Sequence, residues 1–524
     1  MKKYFNSKSN LIEIIIMLIF AYGLMFFATA SSPRYGINPW VDANAFFTVG
    51  KSMANGATVY KDIFEQKGPL LYVFHAIAYF ISKTSFTGVY VLEAAAMFFS
   101  MLFAYKTARL YISKPLALGM TFLFAATAVN SCSFYLGDSA EEFSLPFLMV
   151  LIYYTTYYFK NSDENELKWY VFLLNGFFSG CVMMIKFTVI GFWFGFMAAV
   201  SIHTLFVKKD VKSAFKNAFI FIAGMLIPLA AFSVYFFIKG GLKEFFEVYF
   251  GFNLFVYSSE KQSLIEKAMK MVIGIGSACL ENKIMFLLTV LGCISAIFVK
   301  PIAEKNVVSR FAVPFIYCCG VLFTYIGGRN YSYYFFAFSA FTVFAFIALG
   351  LAAEKLGLKS SAGIVFAVVS LVCSFAVTNA INIVTLNVPR DKEETIQYKI
   401  SETIKSKDEN AAVLCYNSLD AGVYLFDNIV PNFRYFEKQN IDYSAYPENM
   451  DEQNRYINEH MADYVVCRFI CSETEKDFLD VIYGKNKALE NDYSLILNEK
   501  DYIADSDDRR GQRELVYYLF ELNK

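Results

Sequence analysis

Histidine is scarce in this 524-residue chain. Its three copies, His75, His203 and His460, stand too far apart to read as a metal-ligand set. The ten cysteines show no metal-ligand spacing. Cys132, Cys181, Cys279, Cys293, Cys318, Cys319 and Cys373 fall in apolar runs, where cysteine behaves as a small hydrophobe. Cys467 and Cys471 sit four apart and Cys415 stands alone, so no disulfide framework is indicated. There is no Ser, His and Asp arrangement and no Gly-rich phosphate loop, which leaves a nucleotide-driven mechanism unsupported. Internal repeats and low-complexity tracts are also missing. Charged residues make up only 18% of the chain, and the long apolar runs are nearly free of charge at their centres.

Hydrophobic residues are abundant instead. They reach 56% of the chain, with 57 Phe and a mean hydropathy of +0.41, more than a soluble domain can bury. This composition is that of a polytopic α-helical membrane protein. Net charge is zero overall but uneven, since residues 390–524 hold 17 Lys and Arg against 28 Asp and Glu. The acidic tail reads as a separate water-facing domain, so the chain divides into a multi-spanning domain, 1–385, and a soluble domain, 386–524. In the tail, AAVLCYN at 411, ADYVVCR at 462 and ELVYYLF at 514 read as strands and ETEKDFLDVIYG at 473 as a helix, which together predict a small α/β fold.

A bilayer core of ~30 Å needs roughly 20 apolar residues. Eleven runs approach that length, near 11–30, 88–111, 115–133, 143–159, 169–186, 188–207, 217–238, 282–299, 310–326, 333–352 and 361–382. The run LLYVFHAIAYFIS at 70–82 is short and reads as interfacial or re-entrant. With that run not crossing, the basic turns all fall on one side, from MKKYFNSK and Lys114 through Lys160–Lys168 and KKDVKSAFK to KPIAEKNVVSR and EKLGLK. The excess of positive charge makes that side cytoplasmic. The N-terminus, read as an uncleaved anchor, is then inside. The tail is outside, together with the loops at 31–87, 133–143, about 239–281 and 327–334.

The unusual charged clusters gather on that outer side. Asp42, with Asp62, Glu65 and Lys67, lies in WVDANAFFTVGKSMANGATVYKDIFEQKGPLL, directly after the first span. A carboxylate there suits proton acceptance or cation binding, and the competing reading is a cap for ANAFFTVGKSMANG, an amphipathic helix on the membrane surface. Lys67 precedes Gly68 and Pro69, the turn and first residue of the short helix. It is placed either to hold a lipid phosphate or to snorkel, as Lys83 does at the other end. Asp138, Glu141 and Glu142 in GDSAEEFSLP bind something positive or serve the dipole of the next helix. Arg329 in GGRNYSYY, flanked by Tyr333 and Tyr334, offers a planar fork for phosphate or an interfacial anchor. Lys186 in MMIKFTVIG stands at a turn between spans and is a further phosphate candidate.

VDANAFFTVGKSMANG, FEQKGPLLYVFHAIAYF, GDSAEEF and MMIKFTVIG, taken in order, resemble the motifs of the GT-C superfamily of polytopic glycosyltransferases. The resemblance is to the bacterial relatives of protein O-mannosyltransferases and of the lipid A aminoarabinose transferase. It implies that Asp42 is the catalytic carboxylate and that Lys67, with Arg329 and Lys186, contacts the phosphate of a polyprenyl-phosphate sugar. It also implies an inverting single displacement onto an envelope glycan, lipid or protein, with a hexosyl or pentosyl group moved at the outer face of the plasma membrane and no nucleic acid involved. Ala43 stands where the family usually carries a second acid, and Tyr333 where a His commonly precedes the Tyr. No cofactor is implied with certainty, and a divalent metal held by Asp138, Glu141 or Glu142 stays open. The rival reading is a transporter or flippase of lipid-linked saccharides, which calls for charge near the bilayer midplane.

Overall fold

The computed structural model describes residues 8–160, 166–257, 263–303, 306–358, 361–408, 410–471, 478–504 and 512–523. Its first helices are α1 Lys8–Ala28, α2 Val41–Ala54, α3 Pro69–Ile81, α4 Thr87–Ala108, α5 Lys114–Val129, α6 Ala140–Phe159 and α7 Trp169–Met183. There follow α8 Gly191–Ile202, α9 Val211–Ile238, α10 Leu264–Glu281, α11 Lys283–Phe298, α12 Val307–Tyr325, α13 Thr342–Lys355 and α14 Ser361–Ile381. Every apolar run expected to span is helical. Seven segments are long and apolar enough to cross a bilayer, or eight if α10 and α11, bent by 105°, are counted as one span. The eleven-span expectation exceeds this by at least three. α5 and α7 have only 16 and 15 residues, shorter than a full crossing, and α6, though 20 residues long, carries Glu141, Glu142 and a run of Tyr and Thr that lower its hydropathy.

The bundle has two distinct ends. At one, Tyr105 Oη donates to Glu13 at 2.5 Å, Lys114 pairs with Glu13 at 3.4 Å and the backbone N–H of Ser113 donates to Glu354 at 2.7 Å. At the other, Thr29 Oγ1 donates to Glu93 at 2.9 Å and the Ala30 N–H to the Leu136 carbonyl at 2.9 Å. α1 and α4 are therefore antiparallel, and α2 and α3 between them both lie at the Thr29 end. This agrees with the non-spanning reading of 70–82. Of the basic N-terminal segment, residues 1–7 lie outside the described residues, as do 161–165, 304–305 and 359–360 of the other basic turns.

The tail adds α15 Ile396–Lys405, β1 Val413–Cys415, α16 Pro447–Asn458, β2 Tyr464–Ile470, α17 Leu479–Lys485, α18 Lys487–Asp492, β3 Tyr493–Ala504 and β4 Gln512–Leu522. The sheet order is β1-β2-β4-β3. β1 runs parallel to β2, with Val413 opposite Tyr464, and the other pairs are antiparallel. The three strands read from sequence are β1, β2 and β4. β3, an edge strand with charged residues at 499–501, escaped the pattern search because an edge needs little apolar alternation. Of the expected helix at 473, residues 473–477 lie outside the described residues and Leu479–Lys485 is helical.

The sheet unit is fastened to the first outer loop. Thr48 Oγ1 donates to Asp420 at 2.7 Å, Lys51 Nζ to the Tyr424 carbonyl at 2.6 Å, and the Phe64 N–H to the Arg434 carbonyl at 2.8 Å. The Phe64 ring stacks on Tyr446 at 5.5 Å. With its other face packed on α3, Gly50 against His75 and Phe47 against Tyr79, residues 43–52 of α2 are all buried, so α2 is a core helix rather than one lying on a membrane surface, and its polar stripe of Asn44, Thr48 and Lys51 faces the tail.

Burial pushes the Asp420 carboxyl up from 3.8 to about 6, against the hydrogen bonds of Thr48 and Gly422 and the charge of Lys51. Burial also lowers Lys51 to about 7, with Asp420 opposing. For Asp420 the folded pKa exceeds the unfolded one, so its contribution is present below 3.8 and is lost as pH rises through about 6. Relative to Asp420→Asn, the wild type is expected to lose stability across that window by up to about 1.4 kcal/mol per pH unit. Melting temperatures of the pair that run parallel with pH would refute this.

Candidate functional site

The site begins with two backbone crossings. The N–H of Gly68 donates to the Ile185 carbonyl at 3.1 Å and that of Leu70 to the Met184 carbonyl at 2.9 Å, so the turn before α3 is laid on the turn after α7. Only glycine permits this approach, because a Cβ on residue 68 would overlap the Met184 carbonyl oxygen. Pro69 opens α3 with Gly68 as its N-cap, as the sequence indicates. The crossing sets Lys67 beside Lys186. Gly68→Ala is expected to part the two turns, lowering stability by about 1–3 kcal/mol and weakening use of any ligand held by both lysines. A variant with unchanged melting temperature and unchanged affinity would contradict the role given to this crossing.

Gln66, Lys67, Lys186, Tyr257, Arg329 and Tyr334 line one cavity of about 70 Å³, room for a few waters or one small anion. Three cations named from distant parts of the sequence thus meet at one place. Glu65 sits behind Lys67 and accepts the Lys67 backbone N–H at 2.8 Å. Burial works against the Lys67 ammonium, but Glu65 and Asp42 outweigh it and hold its pKa above the ordinary value. Burial raises the Glu65 carboxyl, with Lys67 opposing. Lys186 pairs with Glu141 and lies 3.3 Å from the centre of the Tyr334 ring. Arg329 lies 4.5 Å from the centre of the Tyr257 ring and donates to the Tyr257 carbonyl at 3.1 Å. Among the described residues it has no carboxylate partner.

Asp42 occupies the first turn of α2 but does not cap it; Trp40 is the N-cap, with no side-chain cap bond. The Asp42 carboxylate instead accepts from Tyr333 Oη at 3.2 Å. Tyr333 is fixed by Trp40, ring centres 5.1 Å apart, and by stacking on Tyr331 at 5.5 Å. Asp42 does not line the cavity, yet its charge acts on Lys67 and Glu65. Asp62 accepts the Thr58 N–H at 2.7 Å in a turn and stays out of the site.

The second acidic loop turns inward. Gly137 and Asp138 have φ of 85° and 66°, a double left-handed turn that buries Asp138 against His75, Oδ1 to Nε2, at 2.9 Å. The His75 Nδ1–H donates to the Leu71 carbonyl at 2.8 Å, so the His75–Asp138 bond holds one further shared proton. Burial disfavours charge on both groups, and the mutual attraction leaves the imidazole above its ordinary pKa. The Asp138 N–H is shared by Glu93 at 2.7 Å and Glu142 at 2.9 Å. Ser139 caps α6 by accepting the Glu142 N–H, so Glu141 and Glu142 are at once helix-start acids and parts of this buried network. Among the described residues no three His, Cys, Asp or Glu side chains are arranged to hold a metal ion. Asp138 faces His75 and Glu141 faces Lys186, a donor set that does not fit a resident cation. Of the residues gathered here, Glu65 was named beside Lys67 without a role, His75 was considered only as a metal ligand, Glu93 was read only as a charge towards a span end, and Tyr257 was not singled out from sequence. An acid inside the apolar run VLEAAAM and the GD dipeptide were the available signals.

The family model for dolichyl-phosphate-mannose-protein mannosyltransferase matches residues 66–237. No curated protein matches the chain in sequence. Among solved structures, the oligosaccharyltransferase of Archaeoglobus fulgidus is similar over 100% of this chain and 75% of its own, at 12% identity and a TM-score of 0.51. ArnT from Cupriavidus metallidurans, bound to undecaprenyl phosphate, is similar over 97% of both chains at 11% identity and a TM-score of 0.48.

Proposed function

The chain is a multi-pass membrane protein with the fold of the GT-C glycosyltransferases, and on that premise we propose that it moves a sugar from a polyprenyl-phosphate donor to a cell-envelope acceptor at the outer membrane face. The observation that carries this reading is the meeting of Lys67, Lys186 and Arg329 around one small cavity, with Asp42 held beside it by Tyr333. A polyprenyl-phosphate sugar is already activated, so the site needs no nucleotide pocket. The acceptor hydroxyl or amine attacks the anomeric carbon, Asp42 takes its proton, and the bond to the phosphate oxygen breaks. Lys67, Arg329 and Lys186 stabilise the departing phosphate, with the low local dielectric strengthening their hold. A single displacement of this kind inverts the anomeric carbon.

The outer loop, 31–87, and the tail, 386–524, would face the extracytoplasmic side and the N-terminus the cytoplasm. The transporter reading calls for charge near the bilayer midplane, whereas Glu93 lies towards one end of its span and is committed to Thr29 and to the Asp138 backbone. The test is mass spectrometry of envelope glycans and glycolipids with and without the gene, paired with release of polyprenyl phosphate by the purified protein. A missing sugar names donor and acceptor; an unchanged envelope and no released phosphate would remove the proposal. Cysteine labelling that placed residue 42 or 67 on the inner side would remove it equally.

A further inference from the structure

We propose that Lys438, Lys485 and Asn417 form an oxyanion site in the tail, and that it anchors a phosphate or carboxylate group carried by the acceptor. The acceptor assignment rests on the transferase reading above; the anion site itself does not. β1 ends at Cys415 and the chain enters Asn417 with φ of 54°, a left-handed conformation that costs of order 1 kcal/mol and persists where the surroundings enforce it. Gln453 enforces it here, accepting the Asn417 N–H at 3.1 Å while donating to the Cys415 carbonyl at 3.0 Å. The conformation presents the Asn417 side-chain oxygen to two ammonium groups at once, Lys438 Nζ at 3.1 Å and Lys485 Nζ at 3.1 Å.

Two like charges on one neutral oxygen repel each other, and neither lysine is ion-paired among the described residues. Burial lowers the Lys438 pKa, and the neighbouring Lys485 lowers it further, with Asp442 the acid that opposes them. Each ammonium carries three protons and commits one to Asn417, so the spot is rich in donors and poor in acceptors. Ser418, 8% exposed, adds a buried hydroxyl oxygen without a partner among the described residues, and its carbonyl accepts the Lys438 N–H at 2.9 Å. An anion bridging the two ammonium groups turns the repulsion into two charge-assisted hydrogen bonds. The place is also apt, at the carboxyl end of the parallel pair β1 and β2, where α/β units bind ligands.

The same two loops reach the catalytic wall, which argues for the acceptor as occupant. Two residues past Lys438, Asn440 Nδ2 donates to Tyr331 Oη at 3.1 Å, and Tyr331 stacks on the Tyr333 that holds Asp42. Three residues past Asn417, Asp420 accepts from Thr48 on α2. An anionic group seated on Lys438 and Lys485 would hold the rest of an acceptor beside Asp42.

The test uses the full-length protein in two arms. In the first, inorganic phosphate is titrated against chloride at matched ionic strength while melting temperature is followed. Wild type and Lys67→Ala are expected to be stabilised by phosphate, and the double variant Lys438→Gln with Lys485→Gln by less than the wild type, its remaining response coming from the cavity at Lys67, Lys186 and Arg329. Equal stabilisation of the double variant, or none of the wild type, overturns the anion site. In the second arm, transfer to a phosphorylated acceptor glycan is compared with transfer to its neutral counterpart. The double variant is expected to raise KM for the phosphorylated glycan roughly tenfold, with kcat and the neutral glycan unchanged. An unchanged KM there overturns the acceptor assignment and leaves free phosphate as the ligand. If the wild type transfers to neither glycan, the transferase reading and the acceptor assignment fall together, while the first arm still decides the site.

Discussion

Asp42→Asn is expected to reduce sugar transfer by about a hundred- to ten-thousand-fold, the range for removing a positioned general base. Asparagine keeps a side-chain oxygen for the Tyr333 hydroxyl that donates to Asp42 at 3.2 Å, and residues 43–52 of α2 stay buried under the tail. The variant is therefore expected to reach the membrane folded, with a melting temperature close to that of the wild type. The difference falls on kcat, because the amide cannot accept the acceptor's proton while donor binding by the cations is left intact. Turnover equal to the wild type would take Asp42 out of the reaction.

Lys67→Ala is expected to act on the donor instead. Removing one charge-assisted hydrogen bond to a phosphate costs about 1.5–3 kcal/mol, roughly ten- to a hundredfold in KM for the lipid-linked sugar. Its surroundings suit that role better than snorkelling, since Lys67 is tied by its backbone to Glu65 and to Tyr72 Oη at 2.9 Å and shares its cavity with Lys186 and Arg329. Lys83, by contrast, has among the described residues only the Tyr79 ring, 5.9 Å away. Lys83→Ala is the control, expected to leave donor use unchanged. Normal donor dependence in Lys67→Ala would return Lys67 to the snorkelling reading.

Much of the architecture could be read from local pattern. The eleven apolar runs are helices, Gly68 and Pro69 open α3, and three of four strands fall where alternation placed them, because each signal is carried by residues close in sequence. The reading of 70–82 as non-crossing, with which the antiparallel α1 and α4 agree, came only from combining its length with the distribution of basic turns. Two features escaped. α2 has the composition of a surface amphipathic helix, and its polar stripe is covered by Asp420 and Tyr424, more than 360 residues away. His75 was set aside because no second histidine lay near it, yet its partner is Asp138, which the sequence placed in another loop.

What the sequence determined by itself is the membrane class, the helical runs, the acidic α/β tail and which charged residues are candidates for the site, since composition, periodicity and side-chain chemistry are local properties. Tertiary structure alone decided that Lys67, Lys186 and Arg329 share one cavity, that Asp138 turns inward to His75 and that the tail is built onto the helix carrying Asp42. Those outcomes depend on close backbone crossings such as Gly68 on Met184 and on buried polar pairs. Such contacts join segments whose separation along the chain says nothing about their distance in space.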